Sequence, residues 1–415
     1  MEEKIEQVLN SYINKNEISG ASILVYMDGK EWCRIDRGLA DVRAGVTYSP
    51  ETIIRLYSMT KPITATAVMI LIERGLLDRL DPVSDYISSF SGQRFYDASG
   101  NKRPVSRPMT IGNLLDMTGG LSYPDNNTLA GVDAGLVFDE IEKELGTENE
   151  MATMEVAEAL GHCTLAFDPG TDYLYSTSAD ILGAVVEKVT GMRFSEFLSM
   201  EIFEPLDMSD TAFYVPKSMQ SRLARSYVPV SHLHELPDNE KPCSDASFPG
   251  NESLRIDGSL PEYLGNNLGI KNRMETPPAF ESGGAGLAST LDDYMKFAQM
   301  LLNGGSTHDG YQILSPATVD FMTARKPSPG VEKGFCKMFD LTGFTYGNLL
   351  RIACEPGICD TLMIPGEYGW DGWLGPYFAN IPSKNATILI AMQRTNSGTF
   401  ALTRRLRNLI LSRLT

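Results

Sequence analysis

Histidine is scarce: His162, His232, His234 and His308 are the only four in 415 residues. None sits in a recognisable catalytic context and no Gly-x-Ser-x-Gly elbow occurs, so a Ser-His-Asp hydrolase fits poorly. The pair His232-x-His234 has no acidic or cysteine cluster beside it and reads as a solvated loop; no metal and no cofactor are expected. Cysteine is sparse too. Cys33, Cys163, Cys243, Cys336, Cys354 and Cys359 lack the close pairing of a zinc site and the density of a disulfide framework, so they are expected to be reduced and mostly buried. No apolar run approaches the ~20 residues needed to span a bilayer. The opening Met1-Glu2-Glu3-Lys4-Ile5-Glu6-Gln7-Val8-Leu9 patterns as an acidic amphipathic helix rather than a charged-then-apolar leader, so the expected location is cytoplasmic. Basic residues are outnumbered, 36 against 53, and the net charge of −17 argues against nucleic acid or an anionic membrane as partner. A small molecule is the expected one.

What is present is an ordinary globular composition, 42% hydrophobic and 21% charged, in a chain long for a single core. Gly20 to Met27 reads as a strand, Asp28-Gly29 as a tight turn and Lys30 to Gly38 as the partner strand. From Leu80 to about Pro278 helical patterns alternate with long loops rich in proline, glycine and asparagine, including 123–127 and the polar stretch 231–264. Thr290-Leu291-Asp292-Asp293 reads as a capping box opening a helix that ends at Leu302. A second hairpin joins Gly375–Ile381 to Ala386–Met392, and a closing helix is expected from about Thr399 to Leu414. The fold class expected is α/β, in the α+β sense. An antiparallel sheet built from residues 1–80 and 279–415 would be flanked by helices and carry an inserted, mainly helical domain over 81–278, with the active site between them.

Chemistry concentrates at Ser58-Met59-Thr60-Lys61, a hydroxyl and an amine three residues apart at a helix start. Residues i and i+3 share a helix face, so an unprotonated Lys61 could take the proton from Ser58. Pro62 in the first turn and Gly75 at the C-cap position frame an apolar helix. Ser99-Gly100-Asn101-Lys102 fits the same bare pattern but lies in a polar turn. For Lys61 to act as a base near neutral pH its ammonium must be disfavoured, by burial or by a nearby cation. A second hydroxyl to relay the proton is offered by Tyr175, after the Pro169-Gly170 turn and before a new helix; packing in the core is the competing role for that ring.

Together Ser58-Met59-Thr60-Lys61, the turn before Tyr175-Ser176-Thr177, the run Gly283-Gly284-Ala285-Gly286-Leu287-Ala288-Ser289-Thr290 and Trp370-Asp371-Gly372 resemble the serine β-lactamase and penicillin-binding-protein superfamily. The branch most similar is that of the class C β-lactamase-like esterases, or family VIII carboxylesterases. The resemblance implies Ser58 as acylated nucleophile, Lys61 as its base, Tyr175 as proton-transfer partner, and an oxyanion hole from the backbone N–H groups of Ser58 and Trp373. It places Thr177, Trp370, Asp371, Gly372 and Trp373 at the substrate. Trp370 and Trp373 flanking the hole, with Tyr123, Tyr173 and Phe378 near, would give an aromatic acyl pocket, core packing being the competing role of each ring.

Two positions depart from the family pattern. Thr177 stands where β-lactamases carry an asparagine, and Trp370 replaces the lysine of the third motif, removing the cation that would hold a β-lactam carboxylate. Ester or small-amide hydrolysis through an acyl-enzyme is therefore the leading expectation. A β-lactamase, D-amino-acid peptidase or acyltransferase of the same superfamily is the first alternative, and a non-catalytic binding module on the same fold is the second.

Overall fold

The computed structural model describes residues 1–232, 254–255, 260–324 and 327–414. His234, Cys243 and most of the 231–264 stretch lie outside the described residues.

The centre is an antiparallel sheet of eight strands: β1 (Gly20–Met27), β2 (Lys30–Asp41), β3 (Val46–Thr47), β4 (Phe344–Gly347), β5 (Leu350–Ala353), β6 (Tyr368–Asp371), β7 (Tyr377–Ile381) and β8 (Ala386–Ala391). Their order is β4-β5-β6-β7-β8-β1-β2-β3, so the early and late parts of the sequence meet where β8 pairs with β1, Ser22 opposite Ala391 and Met27 opposite Ala386. Asp28 and Gly29 both take positive φ, 54° and 73°, the backbone a two-residue hairpin turn needs.

Strand side chains alternate faces, and both faces of this sheet are covered. Ile388 and Ile390 of β8 join Ala21, Ile23 and Val25 of β1 under α1 (Glu2–Ile13) and a closing helix, Ala401–Leu411. Leu389 and Ala391, with Leu24, face the larger core on the other side. That core also holds α2 (Thr60–Glu73), α3 (Ser178–Thr190) and α4 (Leu291–Leu302). Helix α2 is buried all round from Thr60 to Leu71 and is largely apolar, as a helix enclosed on every side must be, with Thr60, Lys61, Thr64 and Thr66 as its buried polar exceptions. Gly75, at φ 66°, ends it as a left-handed cap.

Three expectations need correction. Thr290 caps α4, accepting from the Asp293 N–H, but the box is not closed: the Asp293 carboxylate turns away and accepts from the Asp210 N–H at 2.7 Å. Of the five cysteines among the described residues, all free thiols, only Cys33 is buried and the others are half-buried. Phe378 packs in the core against Tyr294 and Tyr368, with ring centroids 5.4 and 6.4 Å away, and is not a pocket aromatic. Ser99, as its context implied, lies in an exposed turn whose backbone N–H is held by Asp97. No helix among the described residues is long and apolar enough to cross a membrane.

Candidate active site

The residues before Ser58 are held by backbone pairing. Ile54–Arg55 pairs with Ala288–Ser289, and the Leu56 N–H donates to the Leu287 carbonyl at 2.9 Å. Tyr57 then adopts φ 45°, a left-handed conformation unfavourable for a bulky side chain. The bend leaves Ser58 half-buried between buried Tyr57 and Met59, in a short 3-10 turn leading into α2. Such a turn leaves its first N–H groups without helical partners.

Lys61, one helical turn on, is fully buried. Its Nζ lies 3.2 Å from Ser58 Oγ and 3.0 Å from Tyr123 Oη, and donates to the Gly284 carbonyl at 2.8 Å. A neutral amine offers two hydrogens and one lone pair, which suits two acceptors and one hydroxyl proton. Burial lowers its pKa to about 7, against the opposing fields of Asp180 and Asp371. The faces of Tyr175, 4.6 Å from Nζ, and of Tyr123, 5.5 Å away, also favour the ammonium. Desolvation is the largest effect.

The Tyr175 segment is pinned by the Gly170 N–H to the Thr118 carbonyl, 2.7 Å, and the Leu174 N–H to the Met117 carbonyl, 3.0 Å. Tyr175 Oη accepts from Trp370 Nε1 at 3.0 Å and neighbours the Ser58 hydroxyl. Burial raises the phenol pKa of both Tyr175 and Tyr123, so both rest protonated.

Trp373 follows β6 in the turn Gly372–Gly375, and its backbone N–H bonds to no other described residue. Gly372 is required there by close approach, because a Cβ would sit 2.3 Å from the Leu56 carbonyl. The Trp373 ring packs on Tyr57 and Tyr263, with centroids at 5.0 and 5.5 Å.

Ser58, Tyr123, Tyr175 and Trp373 are thus half-buried and grouped, whereas other expected contacts are not at the opening. Thr177 is fully buried ahead of α3 and Trp370 is 1% exposed behind Tyr175. Tyr173 is buried against Phe335 and Tyr346. Asp371 stands on the face of β6 opposite Trp370, where its carboxylate takes Arg351, 3.4 Å, and Thr399.

Sequence reasoning missed Asp180. It is buried in the first turn of α3, and its Oδ1 accepts from Ser282 Oγ at 2.5 Å and from the Gly284 N–H at 3.0 Å. Gly284 is the residue whose carbonyl holds Lys61, and a Cβ on it would meet Asp180 Oδ2 at 2.9 Å. The available signal was a lone carboxylate entering the apolar run Ala179–Val186, five residues after Tyr175. Asp180→Asn keeps an acceptor oxygen and deletes the charge that favours the Lys61 ammonium. The acid limb of kcat/KM on an ester is expected to move below the wild-type limb. Asp180→Ala, which frees Gly284 as well, is expected to cost roughly tenfold or more in kcat, the effect of leaving a buried donor unpaired. A pH profile with an unmoved limb in Asp180→Asn would contradict this.

The beta-lactamase family model matches residues 5–412. The chain belongs to that family. Esterase EstB of Burkholderia gladioli is 29% identical over 377 residues, 90% of this chain and 85% of EstB. Among solved structures, EstCE1, described as a hydrolase with promiscuous acyltransferase activity, is similar with a TM-score of 0.75 at 22% identity, over 98% of this chain and 97% of its own. The simvastatin synthase LovD of Aspergillus terreus gives 0.73 at 20% identity, over 100% and 98%. These two likenesses concern the fold, which is of the β-lactamase and transpeptidase kind.

Proposed function

We propose that the protein is a serine hydrolase that cleaves carboxylic esters or small amides through an acyl-enzyme on Ser58. The observation that carries this reading is a fully buried Lys61 whose Nζ lies 3.2 Å from Ser58 Oγ, with its pKa brought to about 7 by burial. Lys61 takes the Ser58 proton as Oγ attacks the acyl carbon. The N–H groups of Ser58 and Trp373 receive the developing oxyanion, an effect worth about 3 to 4 kcal/mol per donor. Tyr175 exchanges the proton with the leaving group, and water reverses these steps to release the acid. Tyr123, which shares Lys61 Nζ and is half-buried, borders the substrate. The relationship to EstB supports an ester as substrate.

Ester hydrolysis is favoured over β-lactam hydrolysis by the third motif. Position 370 carries a buried neutral indole, and Arg351, on the neighbouring strand, is committed to Asp371. Turnover of p-nitrophenyl butyrate is expected to exceed that of nitrocefin by more than about a hundredfold in kcat/KM, the scale of one lost charge-assisted contact or more. A fluorophosphonate is expected to add one label, on Ser58, read by intact mass and peptide mapping. An unlabelled protein, or nitrocefin turnover without ester turnover, would overturn the assignment.

A further inference from the structure

Resting on that acyl-enzyme reading, we propose that Trp370 is a positioning residue that fixes the direction of the Tyr175 proton, so that the phenol donates to the departing alkoxide. The indole Nε1 lies 3.0 Å from Tyr175 Oη. An indole N–H donates and never accepts. The phenol oxygen is therefore the acceptor of that bond, and its own hydrogen must take the other in-plane position. Ser58 lies beside that oxygen, and the Lys61 Nζ that contacts Ser58 Oγ at 3.2 Å stands 4.6 Å from the Tyr175 ring centre, so the phenol borders the reacting hydroxyl.

Neither ring is free to turn. Tyr175 is enclosed by Trp370, Phe339 and Tyr123, with centroids at 5.4, 5.4 and 5.7 Å. Trp370, in β6, is wedged in turn against Tyr346 at 5.0 Å and Phe339 at 5.5 Å. Lys61 Nζ stands over the face of Tyr175 rather than in its plane, so it does not compete for the phenol hydrogen at rest. A neutral donor also leaves the phenol protonated, whereas a cation at position 370 would favour phenolate.

The Ser58 Oγ–carbon bond forms while the hydroxyl proton passes to neutral Lys61. The bond from the acyl carbon to the leaving oxygen then breaks with its electron pair going to oxygen, which takes the Tyr175 proton and departs as alcohol. The phenolate left behind is held by the Trp370 N–H and faces the Lys61 ammonium. Transfer of one proton from the Lys61 ammonium to the phenolate restores amine and phenol.

The test uses butyrate esters whose leaving groups run from p-nitrophenol, which departs without protonation, to simple alkyl alcohols. Trp370→Phe keeps an aromatic ring and deletes the N–H. Its kcat/KM is expected to fall roughly 10- to 100-fold on alkyl esters, the scale of a hydrogen bond to a charged group, and less than about threefold on the p-nitrophenyl ester. Trp370→His, which retains a ring N–H, is expected to recover part of the alkyl-ester loss. Tyr175→Phe should show the same leaving-group trend, and the double variant should be no worse on alkyl esters than Tyr175→Phe alone. A loss equal across leaving groups overturns the proposal, as do additive losses in the double variant or unchanged alkyl-ester turnover. If Trp370→Phe does not fold by circular dichroism, a leaving-group-independent loss in Tyr175→Phe overturns it alone. Absence of a Ser58 adduct in the wild type by intact mass overturns the parent reading, while a normal adduct with a flat leaving-group trend overturns this one, and with it the leaving-group role of Tyr175, but leaves the Ser58 acyl-enzyme standing.

Discussion

Ser58→Ala should retain the fold and lose ester turnover by a factor on the order of 10⁴ or more, the range seen when a catalytic serine is deleted and only binding and oxyanion donors remain. Ser58 is half-buried and, among the described residues, its hydroxyl and that of Tyr123 are the two within 3.5 Å of Lys61 Nζ. Tyr123, whose phenol burial keeps protonated, is not expected to take over as nucleophile. The measurement pairs initial rates on p-nitrophenyl butyrate with intact mass after mixing. Wild type should gain the mass of one butyryl group and the variant none. An acylated Ser58→Ala protein, or a rate loss under tenfold, would remove Ser58 from its role.

Lys61 carries the second large effect, and it has two signs. As the base it must be neutral, so kcat/KM should rise with pH through a limb at about 7 and level off above it. Lys61→Met should abolish that limb and cost on the order of 10³ in kcat/KM, within the range that general-base removal produces. The same residue burdens the fold. Its folded pKa of about 7 lies below the ordinary 10.5, so the unfolded chain binds more protons between those values and stability rises with pH across that window. At pH 6 the whole penalty is present. Lys61→Met is therefore expected to melt at a higher temperature than wild type at pH 6, as calorimetry would measure, while being nearly inactive. A pH-independent wild-type rate would contradict the role of Lys61 as base. A lower melting temperature for the variant would mean that its bonds to Gly284 and Tyr123 outweigh desolvation.

Local signals made much of this legible. The Asp28-Gly29 turn, the proline and glycine framing α2, and the hairpin that joins β7 to β8 are encoded within a few residues and need no knowledge of partners. Ser58 and Lys61 were legible for the same reason, since helical spacing alone brings them to one face. The parts that escaped depend on long-range pairing. Asp180 meets Gly284, and Tyr123 meets Lys61, across distances along the chain that no window spans. The misplacement of Asp371 has a simpler cause. Adjacent strand residues face opposite ways, so once Trp370 points at Tyr175 its neighbour cannot, and only the register with β7 shows which of the two faces the site. Thr177 was assigned by analogy to a substrate contact, but its position leading into α3 buries it.

The pairing of β1 with β8 also has a bearing on how the molecule is made. Ser22 emerges from the ribosome early, and its sheet partner Ala391 only when the 368 intervening positions have been translated. Until then the β1–β2 hairpin has one open edge and uncovered apolar faces, a state prone to intermolecular association. The middle of the sheet is the last seam to close.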